Sequence, residues 1–549
     1  MCGILASINS NQENDCVLRD AMKLMSHRGP DFSSHSRIGP LWLGHNRLSI
    51  IDLDERSNQP MLRSNHGIVF NGEIYNFLSL KNQFGFRDLK TSSDTEVLLE
   101  GLKSNGVDFL NNIDGFFAFV FYDFTTKKII VARDRLGQKP LFYAKSGEAL
   151  YFSSEQKVLK KLINAKVDFN YVLEIIVSGL PSSGSYLEGI REVKPGEYIE
   201  LSFDGKVLKK AFWFNLKEEI YKKRHDFKGF KYGDHIALFR EQLVNSVRNR
   251  LVSDVEVVTI NSGGLDSSLV SSIAKSLNHN IKMYTLDVQG KSEIEFAAIV
   301  SNHLKAELRV VDFNETIYDD LYSKAANFLD GPMLHPNNVA IFKLAQRIRQ
   351  DGYKVVLSGE IADELFFGYP SMNSVFTNRR TLKLLNLVSN VFNTLPENVK
   401  NELFGVFKLF SREPSDSILK IVKDQNLIRR QRFENEVSEF CEFMSKDQAY
   451  AAAIRLFAIE DYLPPLLKRG DQMFMGNSVE ARMPFSSKDL LLHSFYTPER
   501  GTLNKKILKD VAKEFLPLEV INRSKMGLPV NIKNANKTRI VEELKSIIQ

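Results

Sequence analysis

Two stretches of the chain combine small, flexible residues with polar side chains at a spacing that suits a polyphosphate. The first is Asn261-Ser262-Gly263-Gly264-Leu265-Asp266-Ser267-Ser268, directly after the β-branched run Val255–Ile260. Gly263 and Gly264 let backbone N–H groups close on an anion, and a helix start behind them adds its positive dipole end. The hydroxyls of Ser262, Ser267 and Ser268 supply further donors. No Gly-Lys-Ser/Thr follows at Walker spacing, so this is a phosphate loop of another kind. The second stretch is Ser358-Gly359-Glu360-Ile361-Ala362-Asp363-Glu364, after Lys354–Leu357. Each loop is followed by an aspartate, Asp266 or Asp363, and hard carboxylate oxygens beside a polyphosphate are what Mg²⁺ requires. A third candidate is Cys2. Once Met1 is removed, its thiol and a free α-amino group share one residue. An amine titrating near pH 8 can then act as the thiol's own base. A lone cysteine at that position carries no chemistry by itself; its neighbours decide.

These groups need elements to hold them. After the first loop, Leu269, Val270, Ile273, Ala274 and Leu277 recur at helical spacing, giving strand, tight loop and helix. The same alternation continues. Ile281–Leu286 reads as a strand, Ser292–His303 as a helix and Leu308–Val311 as a strand. Asn338–Arg349 is then a helix, and Lys354–Leu357 a third strand. This predicts a doubly wound parallel sheet of the α/β class, with ligands at the carboxyl ends of its strands. Up to about Ser202 the pattern differs: short apolar runs such as Phe116–Tyr122 and Lys128–Val131 alternate with Gly, Pro, Asn and Asp. That predicts an α+β domain of layered sheets covered by helices. Residues 203–234 are Lys-rich and irregular and read as a linker, so the expected units are 2–202 and 235–549. Residues 371–450 read as helices without recognisable chemistry.

Composition narrows the partners. The chain has 549 residues, 43% hydrophobic and 26% charged, as in an ordinary soluble protein. Its net charge of +6, from 73 basic and 67 acidic side chains, comes with no long Lys/Arg cluster, so no nucleic-acid partner is expected. The three cysteines are far apart with no C-x-x-C pair, which argues against a disulfide framework or zinc site and fits a reducing cytoplasm. No apolar run approaches the roughly 20 residues of a bilayer span, and Met1–Ile8 does not read as a signal peptide. A homodimer is compatible with the chain, whose sequence does not specify the assembly.

The surroundings of Cys2 form an ordered set. Met1-Cys2-Gly3-Ile4, His27-Arg28-Gly29-Pro30-Asp31, Gly44–Asp52, Asn71-Gly72-Glu73-Ile74-Tyr75-Asn76 and Ser93-Asp94-Thr95-Glu96 follow one another, then Ala132–Leu141 and Phe152–Glu155. Together they resemble the class II glutamine amidotransferase domain, an N-terminal-nucleophile fold. The resemblance implies that Cys2 is the nucleophile, with the Asn71 side chain and Gly72 N–H at the oxyanion. Arg47 would hold the glutamine carboxylate, and Glu73 with Asp94 its ammonium. His27 and His45 read as packing or supporting residues.

In the second half, the first loop resembles the pyrophosphatase-type loop of adenylating enzymes. The loop pair, with Leu466-Leu467-Lys468, Asp471, Glu480–Phe485 and Arg523-Ser524-Lys525-Met526-Gly527, resembles the asparagine synthetase family. The resemblance implies that ATP is a co-substrate, bound by Ser262, Gly263, Gly264, Asp266, Ser267, Ser268, the backbone near Leu286, Ser358 and Gly359. Asp266 and Asp363 would hold Mg²⁺, Glu360 would manage protons during amine attack, and Lys525 would neutralise the leaving phosphate. Four positions depart from the usual family wording: Ile361-Ala362, Asp330-Gly331-Pro332, Gln472 and Leu528-Pro529. All lie in the half that selects the acceptor. Aspartate is the favoured acceptor; the rival is another carboxylate, such as a uronic-acid sugar of a surface polysaccharide. An adenylating cyclase would be expected to lack the nucleophile. A non-catalytic sensor would not need Glu360, Asp363 and Lys525.

Overall fold

The computed structural model describes residues 2–168, 171–172, 184–289, 293–331, 333, 335, 337–377 and 415–524, with backbone only over 415–427. Lys525, and residues 378–414 of the expected helical segment, lie outside them.

The N-terminal region holds two antiparallel six-stranded sheets. One contains β1 (Gly3–Ile8), β2 (Phe32–Ile38), β3 (Leu41–Arg47), β8 (Phe142–Ser146), β9 (Ala149–Ser153) and β10 (Ile190–Glu192), in the order β10-β8-β9-β1-β3-β2. The other contains β4 (Met61–Arg63), β5 (His66–Ile74), β6 (Gly115–Asp123), β7 (Lys128–Arg133), β11 (Glu197–Ser202) and β12 (Val207–Phe212), in the order β12-β11-β7-β6-β5-β4. Alternation along each strand assigns the faces. Ile4, Ala6 and Ile8 of β1 meet Val69, Ala118, Val120 and Val131 between the sheets, while Leu5 turns outward to Leu18, Met22, Val158 and Leu159. Both faces of β6 are buried, which explains the unbroken apolar run Phe116–Tyr122. This is the expected layered sandwich. The stretch read as an irregular linker contains β12, which completes the second sheet, and the helix Leu216–Lys222.

The second half is built on five parallel strands: β13 (Val257–Ile260), β14 (Met283–Val288), β15 (Leu308–Phe313), β16 (Val355–Leu357) and β17 (Glu480–Arg482). The order β15-β14-β13-β16-β17 places successive crossovers on opposite sides of β13. The topological switch point therefore falls between β13 and β16, where a ligand crevice opens outside the strand ends. Both serine-glycine loops leave from that point. β17 was not anticipated. It has only three residues, two of them charged, yet all three are buried.

Candidate functional site

The first half-site lies at one end of the layer between the antiparallel sheets. Cys2 continues the inward-facing series Ile4, Ala6 and Ile8. Asn71 and Glu73 extend the series from Val69 on β5, and His45 and Arg47 extend that from Leu41 and Leu43 on β3. Period-two geometry thus delivers these side chains to one place from three strands. The Cys2 nitrogen donates to Asn71 Oδ1 at 3.0 Å. Asn71 Nδ2 is buried without a hydrogen-bond partner among the described residues, a donor open to an acceptor. Beside it, a Cβ at Gly72 would stand 2.2 Å from the Phe116 carbonyl oxygen, so no larger residue fits there.

Arg47 is pinned through its Nη atoms to Asp54 O (3.0 Å), Asn58 Oδ1 (2.8 Å), Ile51 O (3.3 Å) and Asp52 O. None of these is a carboxylate, so its charge stays available to an anion. Asp94 opens the helix Asp94–Asn105 and accepts from Ile74 N at 2.9 Å. Burial raises its pKa to about 6, against the opposing N–H groups of Ile74 and Thr95. Burial also raises the Glu73 carboxyl, helped by Glu480 and opposed by Arg482. The Cys2 thiol is pushed up by burial. His27 contacts Glu155 (2.8 Å), and His45 contacts Phe70 O (3.2 Å), consistent with supporting roles.

The second half-site sits at the switch point. Asn261 Oδ1 accepts from Gly263 N and Ser268 Oγ, both at 3.1 Å, and shapes the loop from inside. Ser268 is fully buried in that role, whereas Ser262 and Ser267 share a 3.0 Å hydroxyl contact at the loop's mouth. Gly263 has φ +69°, and a Cβ there would strike Phe296 at 2.5 Å. Gly264 is the N-cap of the helix Leu265–Leu277. Leu286 lies near the end of β14. Gly359 presses against the first loop: a Cβ there would be 2.6 Å from Ser267 N. Ile361 adopts φ +79° and ψ −24° although it is β-branched and 2% exposed, a strained conformation.

Asp266 and Asp363 both meet a residue the sequence did not single out. Lys505 Nζ is 2.5 Å from Asp363 Oδ1 and also contacts Asp266. Burial opposes its charge, yet the two carboxylates outweigh that and raise its pKa. Among the described residues no group of three or more His, Cys, Asp or Glu side chains converges. Two carboxylates at the mouth of a phosphate loop nevertheless fit Mg²⁺, which takes one or two carboxylates and completes its shell with phosphate oxygens and water. Glu360 Oε2 is buried and, among the described residues, without a hydrogen-bond partner. Burial raises the Glu360 carboxyl, and only the charge of Arg469 opposes this. Arg523 donates to Ser262 O at 3.4 Å and pairs with Glu293, anchoring the chain at the loop two residues before Lys525.

One helix, Leu463–Met475, touches both half-sites. A Cβ at Gly470 would be 3.6 Å from Glu360 Oε2. The next residue, Asp471, binds Arg28 (2.9 Å) and Lys139 (3.2 Å), and Arg28 Nε donates to the Cys2 carbonyl at 3.1 Å. Arg28, Lys139 and Asp471 lie within motifs legible in the sequence, but their ionic contacts with one another appear only in three dimensions. Arg469 and Lys505 belong to none of those motifs, and only the three-dimensional arrangement reveals them.

Known proteins match both halves of the chain. Asparagine synthetase (glutamine-hydrolysing) 1 of Bacillus subtilis strain 168 is 26% identical, over 100% of this chain and 90% of its own length. The putative asparagine synthetase (glutamine-hydrolysing) 2 of Methanocaldococcus jannaschii is 30% identical, over 75% of this chain and 83% of its own. The amidase chyE of Penicillium rubens is 26% identical, over 96% of this chain and 88% of its own. Residues 1–213 match the glutamine amidotransferase domain and residues 238–548 match asparagine synthase, so the chain belongs to the asparagine synthase family and carries an N-terminal glutamine amidotransferase domain.

Proposed function

We propose that this glutamine-hydrolysing ligase makes asparagine from aspartate, using ATP and yielding glutamate, AMP and pyrophosphate. The observation that carries the reading is the helix Leu463–Met475, whose consecutive residues Gly470 and Asp471 abut Glu360 on one side and the Arg28–Cys2 contact on the other. A nucleophile domain and a phosphate-loop domain joined by one helical turn suit the transfer of a small product between them.

Cys2 Sγ attacks the side-chain amide of glutamine, and nitrogen leaves as ammonia as the γ-glutamyl thioester forms. The Cys2 amine takes the thiol proton; Asn71 Nδ2 and the Gly72 N–H stabilise the oxyanion, each such donor worth about 3 kcal/mol. Arg47 holds the substrate carboxylate, and Glu73 and Asp94 its ammonium. Water then releases glutamate from the thioester. In the second domain an acceptor carboxylate oxygen attacks the α-phosphorus of ATP and pyrophosphate departs. Ser262, Gly263, Gly264, Ser267, Ser358 and Gly359 cradle the nucleotide, with Leu286 beside it. Asp266 and Asp363 would hold Mg²⁺, which when bound neutralises the polyphosphate. Lys505, and Lys525 beyond the Arg523 anchor, supply charge to the phosphates. Ammonia attacks the acyl-adenylate, Glu360 takes its excess proton and AMP leaves.

Arg469 supports aspartate as the acceptor. Its Nε is buried without a hydrogen-bond partner among the described residues, and its charge acts on Glu360. A free guanidinium donor there suits an acceptor with a second carboxylate. The test is purified protein with ATP, Mg²⁺ and glutamine, assayed for AMP and asparagine with aspartate and, in parallel, with uronic-acid sugars. No aspartate-dependent AMP or asparagine overturns the acceptor. Activity on a sugar acid alone would establish the same-mechanism alternative.

A further inference from the structure

Arg482 stands outside the phosphate loops and outside the nucleophile domain, yet its atoms reach both. It belongs to β17 and is fully buried. Its carbonyl oxygen accepts from Ser358 N at 2.9 Å, so its main chain anchors the first residue of the second nucleotide loop. Its side chain runs the other way. Nε donates to Glu480 Oε1 at 2.5 Å, and Nη1 donates to Arg250 O (2.9 Å) and Val252 O (2.6 Å) at the end of the helix Tyr232–Arg250. These bonds fix the guanidinium plane. The remaining nitrogen, Nη2, lies 3.7 Å from Glu73 Oε1, across the domain boundary.

That last distance is informative. It is too long for a hydrogen bond, and among the described residues neither Nη2 nor Glu73 Oε2 has a hydrogen-bond partner, although both are buried. A purely structural ion pair closes to 2.7–2.9 Å when its partners are free to do so. Here the arginine is held back by three other acceptors. It offsets part of the cost of burying a charge at Glu73 while leaving the carboxylate's hydrogen-bonding capacity unused. A buried carboxylate so arranged is ready for a substrate ammonium.

We infer that Arg482 is a positioning residue of the glutamine half-site, supplied by the synthetase domain, and that it ties the ammonium grip of Glu73 to the Ser358 loop of the nucleotide site. This rests on the reading of the Glu73 pocket as the glutamine site. Because one residue's backbone and side chain serve the two sites, a nucleotide that tightens the Ser358 loop also sharpens the placement of Glu73.

The experiment uses the full chain, with glutamine hydrolysis and ammonium-driven AMP formation measured side by side. Glu480→Gln with Arg482→Met removes one buried charge of each sign. The expected result is a rise of about tenfold in KM for glutamine, with glutaminase kcat within about threefold and ammonium-driven AMP formation within about twofold. Arg482→Lys keeps the charge but cannot satisfy four acceptors at once, and should rescue part of the KM. In the unmodified protein, a saturating non-hydrolysable ATP analogue should lower the glutamine KM about fivefold, and the double variant should lose that response. An unchanged KM, or a parallel loss of all activities with falling thermal stability, assigns Arg482 a structural role and overturns the inference. If the double variant does not fold, the KM of Arg482→Lys decides alone. A native protein whose glutamine KM ignores the nucleotide overturns the link between the sites. Failure of the glutamine reading itself would show differently, as no glutamine hydrolysis by the native protein.

Discussion

Replacing Lys505 by Met removes a cation that contacts two carboxylates, one of them 2.5 Å away. The lysine side chain is 9% exposed, and Asp266 and Asp363 are 19% and 23% exposed. Screening therefore lies between that of a surface pair, worth at most about 1 kcal/mol, and that of a buried pair, whose disruption costs about 3–5 kcal/mol. Taking about 1.5 kcal/mol for each contact gives about 3 kcal/mol, or roughly a hundredfold. Most of this should appear in adenylate formation, where negative charge accumulates on the departing pyrophosphate. The assay is aspartate-dependent pyrophosphate release with ammonium chloride as nitrogen source, run on Lys505→Met and Lys525→Met. Glutamine hydrolysis serves as the internal control for folding. Lys505→Met should lose about a hundredfold in kcat and keep glutaminase activity within about twofold. A kcat within about threefold of the native value would refute the assignment of Lys505 to the phosphate site.

Cys2→Ala should abolish glutamine-driven amidation and leave the ammonium-driven reaction, measured as asparagine formed from each nitrogen source; loss of both would disprove separate half-sites. The pKa of Asp94, raised to about 6, gives a pH signature. As pH falls through 6 the carboxylate takes up a proton and the glutamine ammonium loses a partner, so the glutamine KM should climb below pH 6. A flat KM from pH 5 to 7 would count against Asp94 as a ligand. For stability the sign is reversed: a raised folded pKa favours the protonated form, so this contribution is present below the ordinary aspartate pKa and lost as pH rises through 6. At Ile361 two effects compete. Glycine would relieve about 1–2 kcal/mol of left-handed strain but delete a buried side chain worth about 3 kcal/mol or more. Ile361→Gly should therefore lower stability by about 1–2 kcal/mol in urea titrations, and a stabilised variant would show that the strain dominates.

Much of the site was legible because its signals are local. Gly263 and Gly264 announce a tight loop since positive φ and close approach exclude side chains, and the β-branched run before them announces a buried strand. The motifs around Cys2 are legible because each is a short local run, at a strand end (Cys2, Arg47, Asn71) or at a helix start (Ser93-Asp94). Lys505 was illegible for a physical reason. It reaches Asp266 and Asp363 through two successive left-handed residues, Asn504 (φ +52°) and Lys505 (φ +58°), and although asparagine tolerates that conformation a lysine does not announce it. β17 escaped because strand periodicity needs more than three residues, and two of its three buried residues are charged. The connection at 203–234 misled because β12 is an edge strand. Val207, Leu208 and Phe212 are exposed there, so lysines along it carry no desolvation cost and the run looks like a solvated linker.

The charges at the domain boundary have a bearing on how such a chain could be rebuilt. Arg28 and Lys139 from the amidotransferase side meet Asp471, Glu73 meets Arg482, and Asp114 meets Arg250. Each partner sits on the opposite side of the boundary, and nearly all are buried. Fusing this glutaminase to another synthetase domain would strand these groups opposite unmatched neighbours, a penalty that grows with every pair left open. The two halves are therefore keyed to each other like a lock with several wards. A working chimera would need Asp471, Arg250 and Arg482 grafted along with the incoming domain.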